Sequence, residues 1–305
     1  MTWSATLALA GAGGEPVDLW RTIMSHGVAD LPPNRIDEEA RALETTVAVP
    51  RGRPQTVIVR EGRGGKAALT GTAGRRSEAV LDGVRHILRI DEDLSDFYAL
   101  AAEDPDLVWV THGAGRLMRS QTVYEDVVKT ICTTNTAWSG TVRMVSAIVE
   151  HLGEPAAGAR PDSPFGRAFP SPAAMAAAPE SFYRDVARSG YRGAYLRSLA
   201  QSVASGEIDL EELATAAPGD LPDDEVAARL LALPGVGPYA AAHIMMLIGR
   251  YSRLVLDSWT RPTYASLNGR KAKDTAIERR FRRYGRYSGL AFWLFLTRDW
   301  VAEPV

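Results

Sequence analysis

The first 90 residues contain short stretches in which apolar and polar positions alternate, separated by connections rich in Gly, Pro and Arg. Alternation with a period of two is typical of strands that bury one face of a sheet. It predicts strands over residues 3–10, 43–49, 55–60 and 66–71. One amphipathic stretch, residues 17–25, predicts a helix that ends at Gly27, because glycine commonly follows the last turn of a helix. The N-terminal part is therefore expected to be mostly sheet.

From about residue 91 the apolar positions recur every three or four residues, as on the buried face of an amphipathic helix. This spacing predicts helices over residues 94–102, 123–134, 140–152, 173–178, 181–189, 194–205, 210–216, 224–233, 239–248, 259–267, 276–284 and 287–300. Residues 153–172, rich in Pro, Gly, Ala and Arg, predict a long loop. The remainder of the chain is therefore expected to be helical.

The turn between two of these helices has the sequence LPGVGPY, residues 233–239. Its two glycines, Gly235 and Gly237, tolerate positive φ and let another backbone approach closely. The helix that follows begins with outward-pointing N–H groups, which form a ready site for a phosphate oxygen. Asp257 follows eighteen residues after Tyr239, where its carboxylate could reach the sugar attached to that phosphate. A plain helix N-cap is the alternative use of such an aspartate.

The hairpin followed by an aspartate resembles the helix-hairpin-helix DNA glycosylases, and the resemblance extends over roughly residues 85 to 300. The segments that carry it, similar to the alkyl-purine and 8-oxoguanine branch, are residues 87–91 (ILRID), 131–135 (ICTTN), 190–195 (GYRGAY) and 284–289 (YGRYSG). The resemblance implies an α+β, mainly α protein. It implies an N-terminal antiparallel β-sheet domain over residues 1–90, then an all-helical body over residues 91–305 with a helix-hairpin-helix at about residues 224–249.

The resemblance also implies roles for individual residues. Asp257 would be the catalytic carboxylate, which stabilises a cationic sugar and orients or deprotonates the attacking water. The DNA contacts it implies are the N–H groups of Gly235, Val236 and Gly237 on phosphates, Asn135 and Tyr191 in the gap left by an extruded nucleotide, Arg192 on the orphaned base, and Arg261 and Arg286 on the backbone. Plainer alternatives exist: Asn135 as a C-terminal helix cap, Tyr191 as ordinary packing and Arg192 as a solvated turn residue.

Position 239 separates two mechanisms within this family. Bifunctional relatives place a lysine there, whose amine forms a Schiff base and then cuts the strand, whereas this chain has Tyr239. The expected enzyme is therefore monofunctional. An aromatic ring at this position resembles the alkyl-purine enzymes, in which it stacks on the extruded, cationic base. The pocket implied by the resemblance consists of Tyr239, His243, Trp138, Phe292 and Leu296, although aromatic residues in such helices commonly belong to the core and a buried histidine is commonly structural.

Basic residues concentrate between residues 261 and 286. Nine arginines and lysines in this stretch stand against only Asp274 and Glu278, a local excess of seven in a chain whose net charge is −2. Such a patch gives salt-dependent, sequence-independent affinity for a phosphate backbone. A solvated helix face and a DNA-facing patch are both compatible with this pattern.

Composition narrows the chemistry further. The only cysteine, Cys132, excludes an intramolecular disulfide and a four-cysteine iron–sulfur cluster. The five histidines lack metal-ligand spacing, so no metal and no cofactor are expected. The sequence has no run of eighteen apolar residues and no basic region before its first apolar run, so we expect no membrane segment and a cytoplasmic, nucleoid-associated protein. The expected partner is double-stranded DNA with a damaged base, bound by a monomer.

The resulting hypothesis is a monofunctional DNA glycosylase of base excision repair that flips out and hydrolyses damaged purines, above all alkylated ones of the 3-methyladenine and 7-methylguanine type. An 8-oxoguanine glycosylase and a non-catalytic damaged-DNA-binding protein are the alternatives. Three positions depart from the family pattern. Leu296 stands where the 8-oxoguanine enzymes have a base-stacking phenylalanine near the C-terminus. Gly140 stands where the 8-oxoguanine enzymes use a second arginine, and Pro262 lies early in the helix after Asp257, so that this helix is expected to start near Thr260 and leave Asp257 on a looser loop.

Overall fold

Five antiparallel strands at the N-terminus form one sheet in the computed structural model, which describes residues 2–301. The strands are β1 (Trp3–Ala8), β2 (Arg35–Asp37), β3 (Ala42–Val47), β4 (Gln55–Glu61) and β5 (Lys66–Gly71), arranged in the order β1-β5-β4-β3-β2. The four predicted strands are confirmed with small shifts at their ends. Strand β2 was not predicted, because three residues are too few to show an alternating pattern.

The inner face of this sheet is covered by two helices, α1 (Leu19–Ile23) and α2 (Glu78–Ile87). Leu43 pairs with Val59, and Val59 pairs with Leu69, so that these apolar side chains form one buried row across three strands. Helix α2 was not predicted. Ser77 is a recognisable N-cap at its start, since the Ser77 side chain accepts the N–H of Val80. The alternating pattern of the preceding strands obscured this signal.

The helical part follows the sequence prediction closely. Its helices are α3 (Ser95–Ala102), α4 (Val123–Thr133), α5 (Trp138–Leu152), α6 (Pro172–Ala177), α7 (Arg192–Ala204), α8 (Glu212–Thr215), α9 (Asp223–Leu231), α10 (Pro238–Leu247), α11 (Thr260–Leu267), α12 (Asp274–Phe281) and α13 (Ser288–Thr297). Short 3₁₀ turns occupy Gly27–Asp30, Val108–His112 and Arg282–Tyr287, and a π-helical turn occupies Phe182–Val186. The predicted α+β, mainly α class is confirmed, and the predicted loop over residues 153–171 is confirmed as irregular.

Helix α10 is apolar on all sides because it lies between two hydrophobic cores. Ala240 and Ile244 pack into the core built around α4, α5, α7 and α9. Ala242 and Met246, on the opposite side of the helix, pack into the core formed by α3 and α11–α13. A helix that is hydrophobic all round must be buried. This burial fixes the position of the residues at its N-terminus, where the hairpin ends.

Two buried arginines join the sheet to the helical part. Arg89, which follows α2, donates from Nε to the Leu117 carbonyl at 2.9 Å and from its two terminal nitrogens to Glu92 and to the carbonyl of Leu247. Arg116 donates to the carbonyls of Arg89 and Glu92 at 3.0 and 2.7 Å and forms an ion pair with Glu15. Since Leu247 is the last residue of α10, Arg89 links the end of α2 directly to the C-terminus of the central helix.

No helix within residues 2–301 combines the length and the apolar character needed to cross a membrane.

We expect Arg89→Met to lower the free energy of unfolding by about 3–5 kcal/mol, because the substitution leaves Glu92 and two carbonyls without their buried donor. Arg85→Met is the matched control: Arg85 belongs to an exposed pair with Asp82, and its loss should cost less than about 1 kcal/mol. Denaturant unfolding of both variants checks the difference, and equal losses would contradict the role given to Arg89.

Candidate active site

The hairpin between α9 and α10 has the geometry that its glycines predict. Gly235 adopts φ +83°, the left-handed region that favours glycine, and Gly237 precedes Pro238, the first residue of α10. Within residues 2–301 the backbone N–H groups of Gly235 and Gly237 make no hydrogen bond. The N–H of Val236 donates to the Leu233 carbonyl at 3.2 Å, so one of the three donors expected for phosphate is already used inside the turn.

Asp257 lies just before α11 and is half-buried. Its Oδ1 accepts the backbone N–H groups of Trp259 at 2.8 Å and Thr260 at 2.7 Å, and its own N–H donates to Thr260 Oγ1 at 2.8 Å. This reciprocal capping satisfies N–H groups that the first turn of a helix leaves free. It engages one carboxylate oxygen only: no group in the described part of the chain hydrogen-bonds Oδ2. Asp257 is therefore a helix cap with one oxygen still available.

The start of α11 at Thr260 confirms the expectation drawn from Pro262. Pro262 is the third residue of this helix, where the backbone N–H would have no partner within the helix, so proline removes nothing there. The looser loop expected around Asp257 is wrong, because the two N–H bonds to Oδ1 hold the side chain.

Tyr239 borders an open cleft of about 510 Å³ beside the Asp257 segment. The cleft is lined by Pro238, Tyr239 and Ala242 of α10, by residues 252–254 and Leu256, and by Arg261, Asp274, Glu278, Arg282 and Ser288. The Tyr239 hydroxyl lies 3.4 Å from Thr133 Oγ1. Burial raises the pKa of Tyr239, the bond to Thr133 opposes the shift, and the nearby negative charge of Asp257 raises the pKa further. Tyr239 and Asp257 therefore lie close enough to interact electrostatically.

The two pocket residues expected on α13, Phe292 and Leu296, do not line the cleft, and their contact with a base stays a prediction. Phe292 is fully buried in the core, with its ring 5.3 Å from Phe281, and Leu296 lies one helical turn further on and is likewise buried in that core. The residue of α13 that faces His243 is Trp293, at 6.4 Å between ring centroids. Successive residues of a helix point about 100° apart, so Trp293 meets His243 whereas Phe292 meets Phe281, although both side chains are buried.

Helix α10 brings His243 next to Tyr239, with ring centroids 5.9 Å apart, but His243 is buried and does not line the cleft, so its contact with a base stays a prediction. Beyond His243 the aromatic surface continues through Trp293 to Trp259, whose rings are 5.5 Å apart. Trp138, also expected in the pocket, is 48% exposed at the start of α5 and does not line the cleft. Its ring lies against Gly27, where a Cβ would be 3.7 Å from Cη2.

The two residues expected to fill a gap in DNA lie side by side. Asn135 has φ +45°, and its Nδ2 donates to the hydroxyl of Tyr191 at 3.3 Å. The Tyr191 ring is 54% exposed and lies 5.8 Å from Tyr195, which packs over Gly235 of the hairpin. Asn135 does not cap α4 with its side chain, which points to Tyr191 instead. Tyr195 was quoted in the sequence motif without a role, and its contact with Gly235 gives it one.

Arg192 is buried, unlike the solvated turn residue that was the alternative to a base contact. It is 6% exposed and donates to Oγ1 and to the carbonyl of Thr134, the residue before Asn135. Its guanidinium also lies 4.6 Å from the centroid of the Tyr191 ring. Arg192 thus supports Asn135, through the backbone of Thr134, and the ring of Tyr191 from their buried side. Its contact with an orphaned base stays a prediction.

The basic stretch 261–286 is less positive than its sequence indicates. Arg261 pairs with Asp274 inside the stretch, whereas Arg280, Arg283 and Arg286 pair with Asp106, Asp104 and Asp96 from α3 and its following turn. These three aspartates lower the local excess from seven to four. Contact of Arg261 or Arg286 with DNA stays a prediction.

His26 lies beside His243 although no local pattern indicated it. It precedes the turn Gly27–Asp30, and its ring lies 6.2 Å from that of His243. The two histidines are distant in the sequence, and the segment that follows α1 brings His26 to His243, held by the bond from Trp293 Nε1 on α13 to the Ser25 carbonyl.

No protein-family model matches the sequence, and no curated protein gives a significant match. Solved structures match along nearly the whole chain. The 3-methyladenine DNA glycosylase of Archaeoglobus fulgidus is 19% identical, with a TM-score of 0.71, over 98% of this chain and 100% of that one. The apo 8-oxoguanine glycosylase/lyase of Clostridium acetobutylicum is 20% identical, with a TM-score of 0.73, over 96% and 95%.

A third structure, of MBOgg1 in complex with a low-affinity DNA ligand, is 19% identical, with a TM-score of 0.73, over 97% of this chain and 96% of that one. At these identities the likeness concerns the fold. It covers the sheet, the helical part and the hairpin together, as the sequence resemblance implied. The chain therefore has the fold of the helix-hairpin-helix DNA glycosylases.

Proposed function

We propose that the protein is a monofunctional DNA glycosylase that releases a damaged purine from duplex DNA by hydrolysis of the N-glycosidic bond. The observation that carries the proposal is the carboxylate of Asp257, of which only Oδ1 is hydrogen-bonded within the described residues and which interacts electrostatically with Tyr239. Tyr239 in turn follows a hairpin in which the N–H groups of Gly235 and Gly237 have no partner in the described part of the chain. The whole-chain likeness to glycosylase structures supports the same class.

Binding to DNA would begin at the hairpin. The N–H groups of Gly235 and Gly237 are free to bind phosphate oxygens, and the exposed Tyr191 and Asn135 lie beside them. A glycosidic bond inside stacked DNA is out of reach, so the nucleotide must leave the duplex. Tyr191 and Asn135 would then occupy the gap. The MBOgg1 structure, described as a complex with a DNA ligand, is consistent with this use of the fold.

The chemical step would depend on Asp257. Departure of the base leaves a sugar with oxocarbenium character, which a fixed negative charge stabilises. Two N–H groups already hold Oδ1, so Oδ2 can face the sugar without further loss of side-chain conformational entropy. The same oxygen can orient the attacking water and accept its proton.

Two substrate classes compete for this site. The ring of Tyr239 favours an N-alkylated purine, because an aromatic face attracts a cationic base and such a base leaves readily. An oxidised purine is the second candidate, since Asn135 and residues 190–192 resemble the 8-oxoguanine branch and the fold matches an 8-oxoguanine glycosylase/lyase. A protein that binds damaged DNA without chemistry is the remaining alternative, which the tests below distinguish.

Asp257→Asn should lower the rate of base release by about 10²–10³-fold or more, because it removes the charge opposite the cationic sugar. Asparagine retains an oxygen for the N–H groups of Trp259 and Thr260, so folding and DNA affinity should stay close to wild type. The measurement is single-turnover release from duplexes carrying 7-methylguanine, a 3-methyladenine analogue, hypoxanthine or 8-oxoguanine.

Asp220→Asn, the same change of charge on an exposed loop residue, is the control and should release base at the wild-type rate. Equal release by the Asp257 and Asp220 variants would exclude the mechanism. Tight binding with no release by the wild type from any duplex would favour the binding-only alternative.

Strand cutting is not expected. Tyr239 occupies the lysine position of bifunctional relatives, and the buried Lys129 is paired with Glu125 at 2.7 Å, so neither supplies a free amine. Incubation with a substrate duplex and borohydride should give no covalent protein–DNA adduct, and strand breaks should appear only after alkali. An adduct that survives denaturation would show that another lysine acts as the nucleophile.

The two hairpin glycines should respond differently to alanine. A Cβ on Gly235 would lie 2.8 Å from Tyr195 and force a left-handed alanine, so Gly235→Ala should destabilise the fold by about 1–3 kcal/mol. A Cβ on Gly237 meets no described atom within 4 Å, so Gly237→Ala should melt like wild type. Its methyl group should nevertheless weaken DNA binding by about tenfold, by keeping a phosphate from the N–H.

Thermal unfolding and fluorescence anisotropy with a labelled duplex separate these two effects. Wild-type DNA affinity in a folded Gly237→Ala variant would mean that the hairpin does not contact phosphate.

A further inference from the structure

A pair of buried histidines lies behind Tyr239. His26 precedes the turn Gly27–Asp30, His243 lies on α10, and their rings meet edge to face with centroids 6.2 Å apart. His243 in turn lies 5.9 Å from Tyr239 and 6.4 Å from Trp293. The N-terminal part of the chain thus supplies a buried polar side chain behind Tyr239, which itself lines the cleft.

Each histidine has one nitrogen without a partner. Within residues 2–301, neither His26 Nδ1 nor His243 Nε2 makes a hydrogen bond, although both are shielded from solvent. A buried polar atom left without a partner costs about 1–3 kcal/mol, and most such atoms in folded proteins are satisfied. Neither histidine lines the cleft, and both orphaned nitrogens lie behind Tyr239, where a ligand that passes this ring would supply the missing bonds.

The protonation of the pair follows from its surroundings. His26 Nε2 lies 2.5 Å from the carbonyl of Met118, which can only accept, so Nε2 carries the proton. Burial, with the neighbouring His243, lowers the pKa of His26 to about 3, and burial lowers the pKa of His243 to about 4. Both rings are therefore neutral near pH 7. His26 Nδ1 is an acceptor, and His243 Nε2 can serve as a donor.

The segment that carries His26 is held on both sides. Trp293 Nε1 donates to the carbonyl of Ser25 at 2.8 Å, and Ser25 Oγ accepts the N–H of Met118 at 2.9 Å. The acceptor on His26 is therefore fixed relative to α13 as well as to α10. A fixed donor and acceptor select a ligand by the order of its own hydrogen-bonding groups.

We propose that His26 and His243 are specificity-determining residues that bind the edge of the extruded base at an N–H next to a C=O, with His26 Nδ1 accepting from the N–H and His243 Nε2 donating to the C=O. The inference rests on the proposed glycosylase function and narrows its substrate. Tyr239 lines the open cleft and also contacts His243, so its ring separates the pair from the cleft. The ring would have to shift, with the base stacked on it, for the base edge to reach the histidines.

The candidate lesions differ in whether their base carries an N–H next to a C=O. Hypoxanthine, 8-oxoguanine and 7-methylguanine each carry an N–H next to a C=O, whereas 3-methyladenine does not. The pair therefore favours guanine-type and deaminated lesions over 3-methyladenine, within the classes that the fold alone leaves open.

The test compares two non-hydrolysable, 2′-fluorinated duplexes that differ only in this edge, one with hypoxanthine and one with unsubstituted purine. Fluorescence anisotropy should give a Kd for hypoxanthine about tenfold or more below that for purine. His243→Phe and His26→Phe should reduce this ratio to about one while the Kd for purine changes less than about threefold. His112→Phe, at an exposed histidine, should retain the wild-type ratio.

A wild-type ratio near one would overturn the proposal, and this measurement needs no variant to fold. If the histidine variants raised the Kd for both duplexes equally, the pair would have a structural role, and the proposal would also be overturned. Binding does not require base release, so failure of the proposed activity, seen as no release from any duplex, is distinguishable from failure of the histidine pair.

Discussion

The hydrogen bond between Arg89 and the carbonyl of Leu247 is the constraint on which the candidate site depends. It anchors the C-terminus of α10 to the end of α2, and the partial negative charge at that helix end favours a cation. The other end of α10 begins with the hairpin and carries Tyr239 and, one turn later, His243. With one end tied and both flanks packed in cores, the helix holds its N-terminus at a fixed distance from the sheet, and His26 meets His243.

Local patterns were sufficient for most of the fold and for the center of the site. The strands, the helices and the hairpin each have a period or a glycine that dictates backbone geometry, and Asp257 follows at a recognisable spacing. Tertiary pairing was not accessible in this way. The aspartates that neutralise Arg280, Arg283 and Arg286 come from another part of the chain. The register that turns the buried Trp293 towards His243 and Phe292 towards Phe281 depends on how α13 docks.

Several residues combine a structural and a chemical use that sequence reasoning treats as alternatives. Asp257 caps α11 with one oxygen and keeps the other available. Arg192 holds the backbone of Thr134 and also supports the ring of Tyr191. In both cases the bonds made within the protein orient the group that would meet DNA. A capping aspartate or a buried arginine is thus no evidence against function when an adjacent atom remains exposed.

The contact of Tyr195 with Gly235 has a consequence for how DNA would be searched. Tyr195 touches the hairpin on one side and Tyr191 on the other, so it packs between the turn proposed to bind phosphate and the exposed aromatic ring. The spacing between a gripped phosphate and the point of insertion is then set before DNA arrives, and no entropy is lost in aligning two loops. With this distance preset, the protein would insert Tyr191 only at a base-pair step that deforms easily enough to match it.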